Sequence, residues 1–555
     1  MKLCSSPTIM SALILAVFFH PAGLSGQGRV GLWIKYEKNF QSSRQYENPL
    51  YDLKNFVVRF TSPTGRVKNI HGFWDGERNW KVRFCPDEKG TWAFTTECSD
   101  KENSGLHDIK GSFECMAHDN QLDIYTKGCI TRPKGAYYLT HADGTPFFWT
   151  ACTAWNGALR STDEEWKIYL EDRVKNSYNV IQLVTTQWRG CEADILGQKA
   201  FEGSGRIKIN PEFFQRLDRK IDRINEHGLV AAPVLLWALP FSEGRELSPG
   251  YYLPEGEAIL LARYMVARYG GNHAIWILGG DGRYVEEFEQ RWKNIGRGVF
   301  AEEHPGLVSL HPHGRSWIGR AYAGEDWLDI VGYQSSHSNG PQTVNWINNG
   351  PPAKDWDKLP ARPIINMEPN YEESGFKITA QDVRNASYWS ILATPSAGIT
   401  YGANGIWPWL REGEKILNHS NLLKEKEDGS YYHPWHESIK LPGSVQIGYL
   451  AKFFKSFEWW RLRPAPEILV HQPGDETFNH FISVAETDNH DLIIAYLPVK
   501  STITLYNPLN VKYSGQWFNP VTAEYFNAGI TGKNGFLELT SPSDGDMLLV
   551  LKKQS

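Results

Sequence analysis

The chain has 555 residues, too many for one hydrophobic core and suited to about three domains. A formal charge of −5 over that length excludes a dedicated nucleic-acid binder. The 13% aromatic content, with 22 Trp and 25 Tyr, fits either large cores or stacking on the apolar faces of sugar rings.

Residues 1–26 read as a signal peptide. Lys2 precedes an apolar stretch from Ile9 to Phe19 and then Pro21-Ala22-Gly23-Leu24-Ser25-Gly26, with cleavage expected near Ser25–Gln27. The apolar stretch is too short to span a bilayer, and no other segment approaches that length. A secreted or periplasmic protein is expected. Of the seven cysteines, Cys4 leaves with the leader. Cys85, Cys98, Cys115 and Cys129 crowd the N-terminal region, and Cys152 and Cys191 follow. Their spacings match no zinc pattern, and disulfides are allowed without a defined connectivity.

Residues 27–118 predict an Ig-like β-sandwich. VGLWIKYE, NFVVRFTS, NWKVRFCP and TWAFTTEC alternate or run β-branched and aromatic between turn-forming residues. From 119 to 462 the period changes. The strand PFFWTAC is followed by a helix that Thr162 and Glu165 open as a capping box, with Trp166, Leu170 and Val174 as its stripe. NVIQLV comes next, then a helix opened by Asn210-Pro211, striped by Phe214, Leu217, Ile221 and Ile224 and stopped by Gly228. LVAAPVLLW, AIWILGG, GLVSLH, DIVGY, PIINM and AGITY complete eight strands, which predicts a closed (β/α)8 TIM barrel. A helix over Ser444–Trp460 ends it. Pro464-Ala465-Pro466 reads as a linker, and residues 463–555 return to short strands, a small C-terminal β-sandwich.

The chemistry of such a barrel sits where its strands end. Asp281 follows AIWILGG and Glu368 follows PIINM. Two carboxylates facing each other are the minimum equipment for breaking a glycosidic bond. A turn or helix-cap aspartate and a surface glutamate are the plainer alternatives. Gly279 and Gly280 suggest a backbone that a substrate approaches closely. The other strand ends supply substrate-binding candidates: Trp155 and Asn156, Gln187, Trp188 and Arg189, Trp237, Arg283, His311 and His313, Gln334 and His337, Tyr371, then Tyr401, Asn404 and Trp407. His311 and His313 have the spacing of a metal pair but no third ligand, so neither metal nor cofactor is expected. Arg189, Arg283, Arg315 and Arg320 near the strand ends suggest an acidic sugar, uronate or sulfated. A barrel that binds or adheres to carbohydrate without cleaving it is the alternative from another class.

DGTPFFWTACTAWNG, IWILGGD, HPHG, YQSSH, RPIINMEPNYE and ITYGANGIWPW resemble the bacterial barrel family of the pectin apiosidases, glycoside hydrolase family 140. The N-terminal FTSPTGRVKNIHGFWDG resembles the β-sandwich placed before such barrels. The C-terminal WFNPVTAEYFNAG resembles a small β domain that carries a collagen-binding label in other chains. The resemblance implies a retaining glycosidase with Asp281 as acid/base and Glu368 as nucleophile, acting on a plant or algal polysaccharide or oligosaccharide. The family usually shows Gly-Asp-Thr-Ala-Trp after strand one, whereas this chain has Ala151-Cys152-Thr153-Ala154-Trp155. The expectation is that an aspartate is missing from the site floor.

Overall fold

The structure is a computed structural model that describes residues 28–240, 245–301, 304–414, 432–532 and 534–554. The leader read over residues 1–26 lies outside the described residues.

The N-terminal region is a two-sheet unit. One sheet has the strand order Gly28–Gly31, Lys110–Met116, Gly90–Cys98, Phe56–Thr61 and Val67–His71; the other joins Tyr36–Gln41, Asn79–Phe84 and Phe73–Trp74. Period-2 burial runs through Gly90–Cys98, with Trp92, Phe94, Thr96 and Cys98 inward. Phe60 stacks on Phe84 across the core, with ring centroids 4.7 Å apart. The expected VGLWIKYE strand is broken, because Trp33 adopts φ 61° in the turn between Gly31 and Tyr36.

The barrel consists of eight parallel strands in sequential order around a ring: Trp149–Thr153, Val180–Val184, Val230–Trp237, Trp276–Gly282, Val308–Pro312, Val331–Gln334, Ile364–Glu368 and Ser396–Tyr401. Strands five and six are joined by the bridge Ser309–Ile330, by the Ile330 N–H donated to Val308 O at 3.1 Å and by Ser309 Oγ donating to Ile330 O at 3.0 Å. Most strands are buried along their whole length, as both faces of a parallel sheet are covered. Thr162 and Glu165 form the expected capping box, and Trp166 and Leu170 are buried. Val174 is exposed, in the frayed last turn. Asn210 caps the helix Pro211–Glu226, and Gly228 leaves it at φ 77°. The final helix runs Pro442–Lys455, shorter than expected at its C-terminal end.

Pro464-Ala465-Pro466 is not a linker. Leu462–Pro464 is the edge strand of the C-terminal sheet, a position where proline costs no ladder bond. Six strands form that sheet, and the ribbon Thr502–Tyr506 with Phe536–Thr540 covers one face. Ile493, Leu549, Ile503 and Leu539 make the inner core, while Ile494, Tyr496, Leu548 and Val550 on the opposite face join the core of the barrel. Arg384 of a barrel helix grips Asp546 bidentately at 2.8 and 2.7 Å. At the other end of the barrel, Asp218 accepts from Arg83 of the N-terminal unit and from Arg268, each at 2.7 Å.

Candidate active site

Glu368 ends strand seven and is 6% exposed. Strict alternation would send it the way of Asn366, whose amide donates to Ser335 and to Ser390 of the helix layer. A register shift between strands six and seven falls at this point, pairing Gln334 with Glu368, and Glu368 faces two histidines instead. His337 Nε2 stands 2.9 Å from Oε1, and His311 Nε2 stands 2.8 Å from Oε2 without an in-line N–H. Burial alone would raise the Glu368 pKa, but the two imidazoles override it and hold the carboxyl well below the usual range.

Asp281 lies in strand four, beside register shifts at Gly280 and Gly282, with φ 53°. A non-glycine residue in the left-handed region is uncommon and often marks a functional site. Its N–H donates to His311 Nδ1 at 3.2 Å, and Arg189 Nη2 reaches its Oδ2 at 3.5 Å. Its pKa is raised, chiefly by burial; Arg189 opposes the shift and Glu368 adds to it. The two acids are therefore displaced in opposite directions within one site. Arg315, Ser336, Glu373 and Trp409 on the same rim also carry positive φ.

Several expected ligands gather around the pair. Tyr371 packs on His337 with ring centroids 4.1 Å apart and accepts from Trp155 Nε1 at 2.8 Å. Burial and the neighbouring Glu368 push its phenol well above its ordinary pKa. Trp155 stands edge-on to His311 at 5.4 Å and to Trp237 at 5.8 Å, and Trp188 lies 4.1 Å from Trp237. His313 acts on the Asp281 charge from the next strand. Gln334 Oε1, Arg189 Nε and Trp237 Nε1 are buried without a protein partner. Thr153, not singled out in the sequence, hydrogen-bonds the Tyr371 hydroxyl.

Other candidates stand elsewhere. Asn156 is fully buried, and its side chain ties three loops together through Trp188 Nε1, Gly190 O and Pro408 O. Trp407 accepts the Asn156 N–H on its carbonyl. Gln187 bonds Ala200 and Phe201 within its own loop. Asn404 donates its backbone N–H to Glu372 O and braces Tyr432. Tyr401 faces the helix layer, donating to Glu372 Oε2 at 2.7 Å, while Glu372 Oε1 takes the Gly443 N–H. Arg283 pairs locally with Glu286 and Glu287, and Arg320 with Asp355.

Two expectations about the site floor are corrected. The space beside Gly279 is filled by Tyr284 and Trp292, and that beside Gly280 by Trp237 and Val234. These glycines accommodate packing rather than a close substrate. Cys152 is not on the floor: its Sγ lies 3.8 Å from Arg173 Nη1, in the layer between strand one and its helix. The departure from Gly-Asp-Thr-Ala-Trp therefore alters a packed interface, not the cleft. Cavities of about 560 and 630 Å³ lie between the N-terminal unit and the barrel, and neither is lined by Asp281 or Glu368.

A near-closed parallel barrel with two opposed acids at its C-terminal rim is the architecture of a glycoside hydrolase. The model of the Apiosidase-like catalytic domain matches residues 133–461, more than half the chain, and that of DUF5060, a domain of unknown function, matches 29–99. The chain belongs to the apiosidase-like family. No curated protein matches it. Among solved structures, a "Glycoside hydrolase" superposes with a TM-score of 0.65 at 23% identity, covering 78% of this chain and 98% of that one. A glycoside hydrolase family 5 protein from Bacteroides vulgatus ATCC 8482 gives 0.64 at 21% identity, covering 77% and 94%. Another glycoside hydrolase structure from that organism gives 0.69 at 15% identity, covering 95% and 100%, so the three-part architecture recurs as a whole.

Proposed function

We propose that the protein is an exported, retaining O-glycosidase acting on a plant or algal polysaccharide or oligosaccharide. Glu368 attacks the anomeric carbon and expels the leaving group, whose oxygen takes the proton of Asp281. Asp281 then removes a proton from the water that attacks the glycosyl-enzyme, releasing Glu368. The observation that carries this reading is that His311 lies between Glu368 at the end of strand seven and Asp281 in strand four, in surroundings that push the two carboxyls in opposite directions. A nucleophile must be ionised and an acid/base must keep its proton until the transition state, and pairs so separated mark those two roles. His311 and His337 keep Glu368 ionised and oriented. Trp155, Trp237 and Tyr371 offer the apolar wall against which a sugar ring stacks. An acidic sugar would be met by Arg315, and by Arg189 beside Asp281; Arg283 and Arg320 are engaged by carboxylates away from the two acids.

The test is a panel of neutral and acidic plant and algal glycans treated with the wild type and with Glu368→Gln, with products followed by proton NMR from the first turnover. Release by the wild type with the anomeric configuration retained, and a loss on the order of 10⁴-fold or more in the variant, is expected. Inversion at the anomeric carbon, or a folded Glu368→Gln enzyme of near-normal activity, would overturn the assignment.

A further inference from the structure

At the opposite end of the barrel from the two acids, three soft side chains converge from three separate segments. Cys85 follows the sandwich strand Asn79–Phe84, Cys129 directly precedes the short strand Ile130–Thr131 on the way into the barrel, and His273 precedes strand four. Their ligand atoms all lie within 4.8 Å of one another. The two sulfurs are 3.9 Å apart. A disulfide requires about 2.05 Å. A tetrahedral zinc ion with bonds to sulfur of about 2.3 Å holds two thiolates about 3.8 Å apart.

His273 supplies the independent observation. It is 3% exposed, and its Nε2 lies 2.8 Å from Trp33 O. A carbonyl only accepts, so Nε2 carries the hydrogen and Nδ1 presents a lone pair. Nδ1 is buried and makes no hydrogen bond of ordinary geometry, and the Cys129 sulfur is the polar side-chain atom that acts on the ring. An imidazole that donates one nitrogen to a backbone carbonyl and leaves the other bare is the arrangement of a metal-bound histidine. Tyr125 packs edge-on against the ring at 5.3 Å and holds its plane.

We propose that Cys85, Cys129 and His273 bind a soft divalent cation of the zinc class, with a fourth position turned to the 630 Å³ cavity that they help to line. Binding deprotonates both thiols and releases two protons to solvent. Two thiolates and a neutral imidazole then balance the charge of the ion. The other charged groups lining the cavity are already paired: Lys68 with Asp87 at 2.9 Å and Arg132 with Asp329 at 3.3 Å. The ion would tie the sandwich to the barrel, because Cys85 belongs to one and His273 to the other. The three ligands follow no short spacing in the sequence, and only the folded chain brings them together.

The experiment uses the full chain purified without chelator, incubated with ZnCl₂ and desalted, with bound zinc counted by plasma mass spectrometry. A parallel sample is exchanged into CoCl₂ and scanned for thiolate-to-cobalt charge-transfer bands. One zinc per chain is expected, with charge-transfer absorption in the cobalt form and a lower Tm after chelation. Cys85→Ser and His273→Gln should each lower zinc affinity at least tenfold. Should either variant fail to fold, the wild-type stoichiometry and cobalt spectrum decide alone. Substoichiometric zinc without charge-transfer bands would overturn the proposal. So would a Cys85–Cys129 cross-linked peptide in the non-reduced digest.

Discussion

The imidazole of His337 faces an acceptor at each ring nitrogen, Pro369 O at 2.9 Å from Nδ1 and Glu368 Oε1 at 2.9 Å from Nε2. The carbonyl takes the Nδ1 hydrogen, and Nε2 is the nitrogen turned to Glu368. His311 differs: its Nδ1 accepts the Asp281 N–H, and its Nε2 stands 2.8 Å from Glu368 Oε2 without an in-line N–H. Glu368 thus makes one hydrogen bond, with His337, and one close contact, with His311. Removing a donor from the ionised form raises a carboxyl pKa. His337→Asn should therefore move the acid limb of the kcat/KM profile to higher pH, leaving the alkaline limb in place. An unmoved acid limb would show that His337 does not set the ionisation of Glu368.

Asp281 carries the opposite sign. Burial raises its pKa against the pull of Arg189. A carboxyl whose folded pKa is raised contributes stability that is full below its unfolded pKa of about 3.9 and is lost as pH rises through the folded value. Above its folded pKa an ionised Asp281 therefore costs stability. Asp281→Asn, uncharged and tolerant of φ 53°, should raise Tm at pH 7 while lowering kcat/KM by about 10²- to 10⁴-fold. Calorimetry at pH 7 and pH 4 should show the gain shrinking at the lower pH; a Tm that falls at pH 7 would contradict the account.

Gly280 tests the packing beneath the acids. A Cβ there would lie 2.7 Å from Trp237 and 2.8 Å from Val234. Gly280→Ala should cost about 1–3 kcal/mol and raise KM as Trp237 is pushed toward Trp155 and Trp188. Denaturant melts together with steady-state kinetics check both parts.

Cys152 should matter to stability and not to chemistry. It is fully buried against Arg173, outside the cleft. Cys152→Ala should leave kcat/KM within about twofold while lowering stability by about 1 kcal/mol. A large loss of kcat in a folded variant would return this position to the site floor.

The join between sandwich and barrel depends on Asp218. Burial raises its pKa, but Arg83 and Arg268 outweigh that and bring it down to about 2. Its contribution is present above the unfolded value of about 3.9 and is lost as pH falls toward 2. Asp218→Asn removes the carboxylate that Arg83 and Arg268 share, leaving Arg83 with Glu37 at 2.8 Å and Arg268 with Asp75 at 2.7 Å, and should cost about 1.5–3 kcal/mol at pH 7. The loss relative to wild type should narrow as pH drops below 4, which a series of urea melts would follow.

Asp281, Glu368 and the ring of polar strand ends were legible because a run of buried apolar residues that stops at a polar cluster is a local pattern. Which of those residues face the cleft was not. In a parallel barrel both strand faces are apolar, so alternation carries no mark of inside and outside. Tyr401 reads as a cleft residue for that reason, whereas Cys152 reads as part of the site floor only through the family motif it departs from. Glu368 reaches the right one only through a register shift that depends on pairing with strand six. Gly279 and Gly280 read as open backbone because the aromatic rings that fill their space come from distant strands and helices. Capping signals, which act within four residues, were read correctly at Thr162 and Asn210.

The left-handed backbone at position 281 also restricts how the acid could vary. Aspartate and asparagine enter that region cheaply because their short side chains bond locally, whereas longer chains do not share the advantage. A glutamate here would add reach but would meet an unfavourable φ, and relaxing it would disturb the N–H donated to His311 and the register shift beside it. Lengthening the side chain at position 281 thus means rebuilding the end of strand four, and redesign of the proposed proton donor should begin with that strand's register rather than with the side chain.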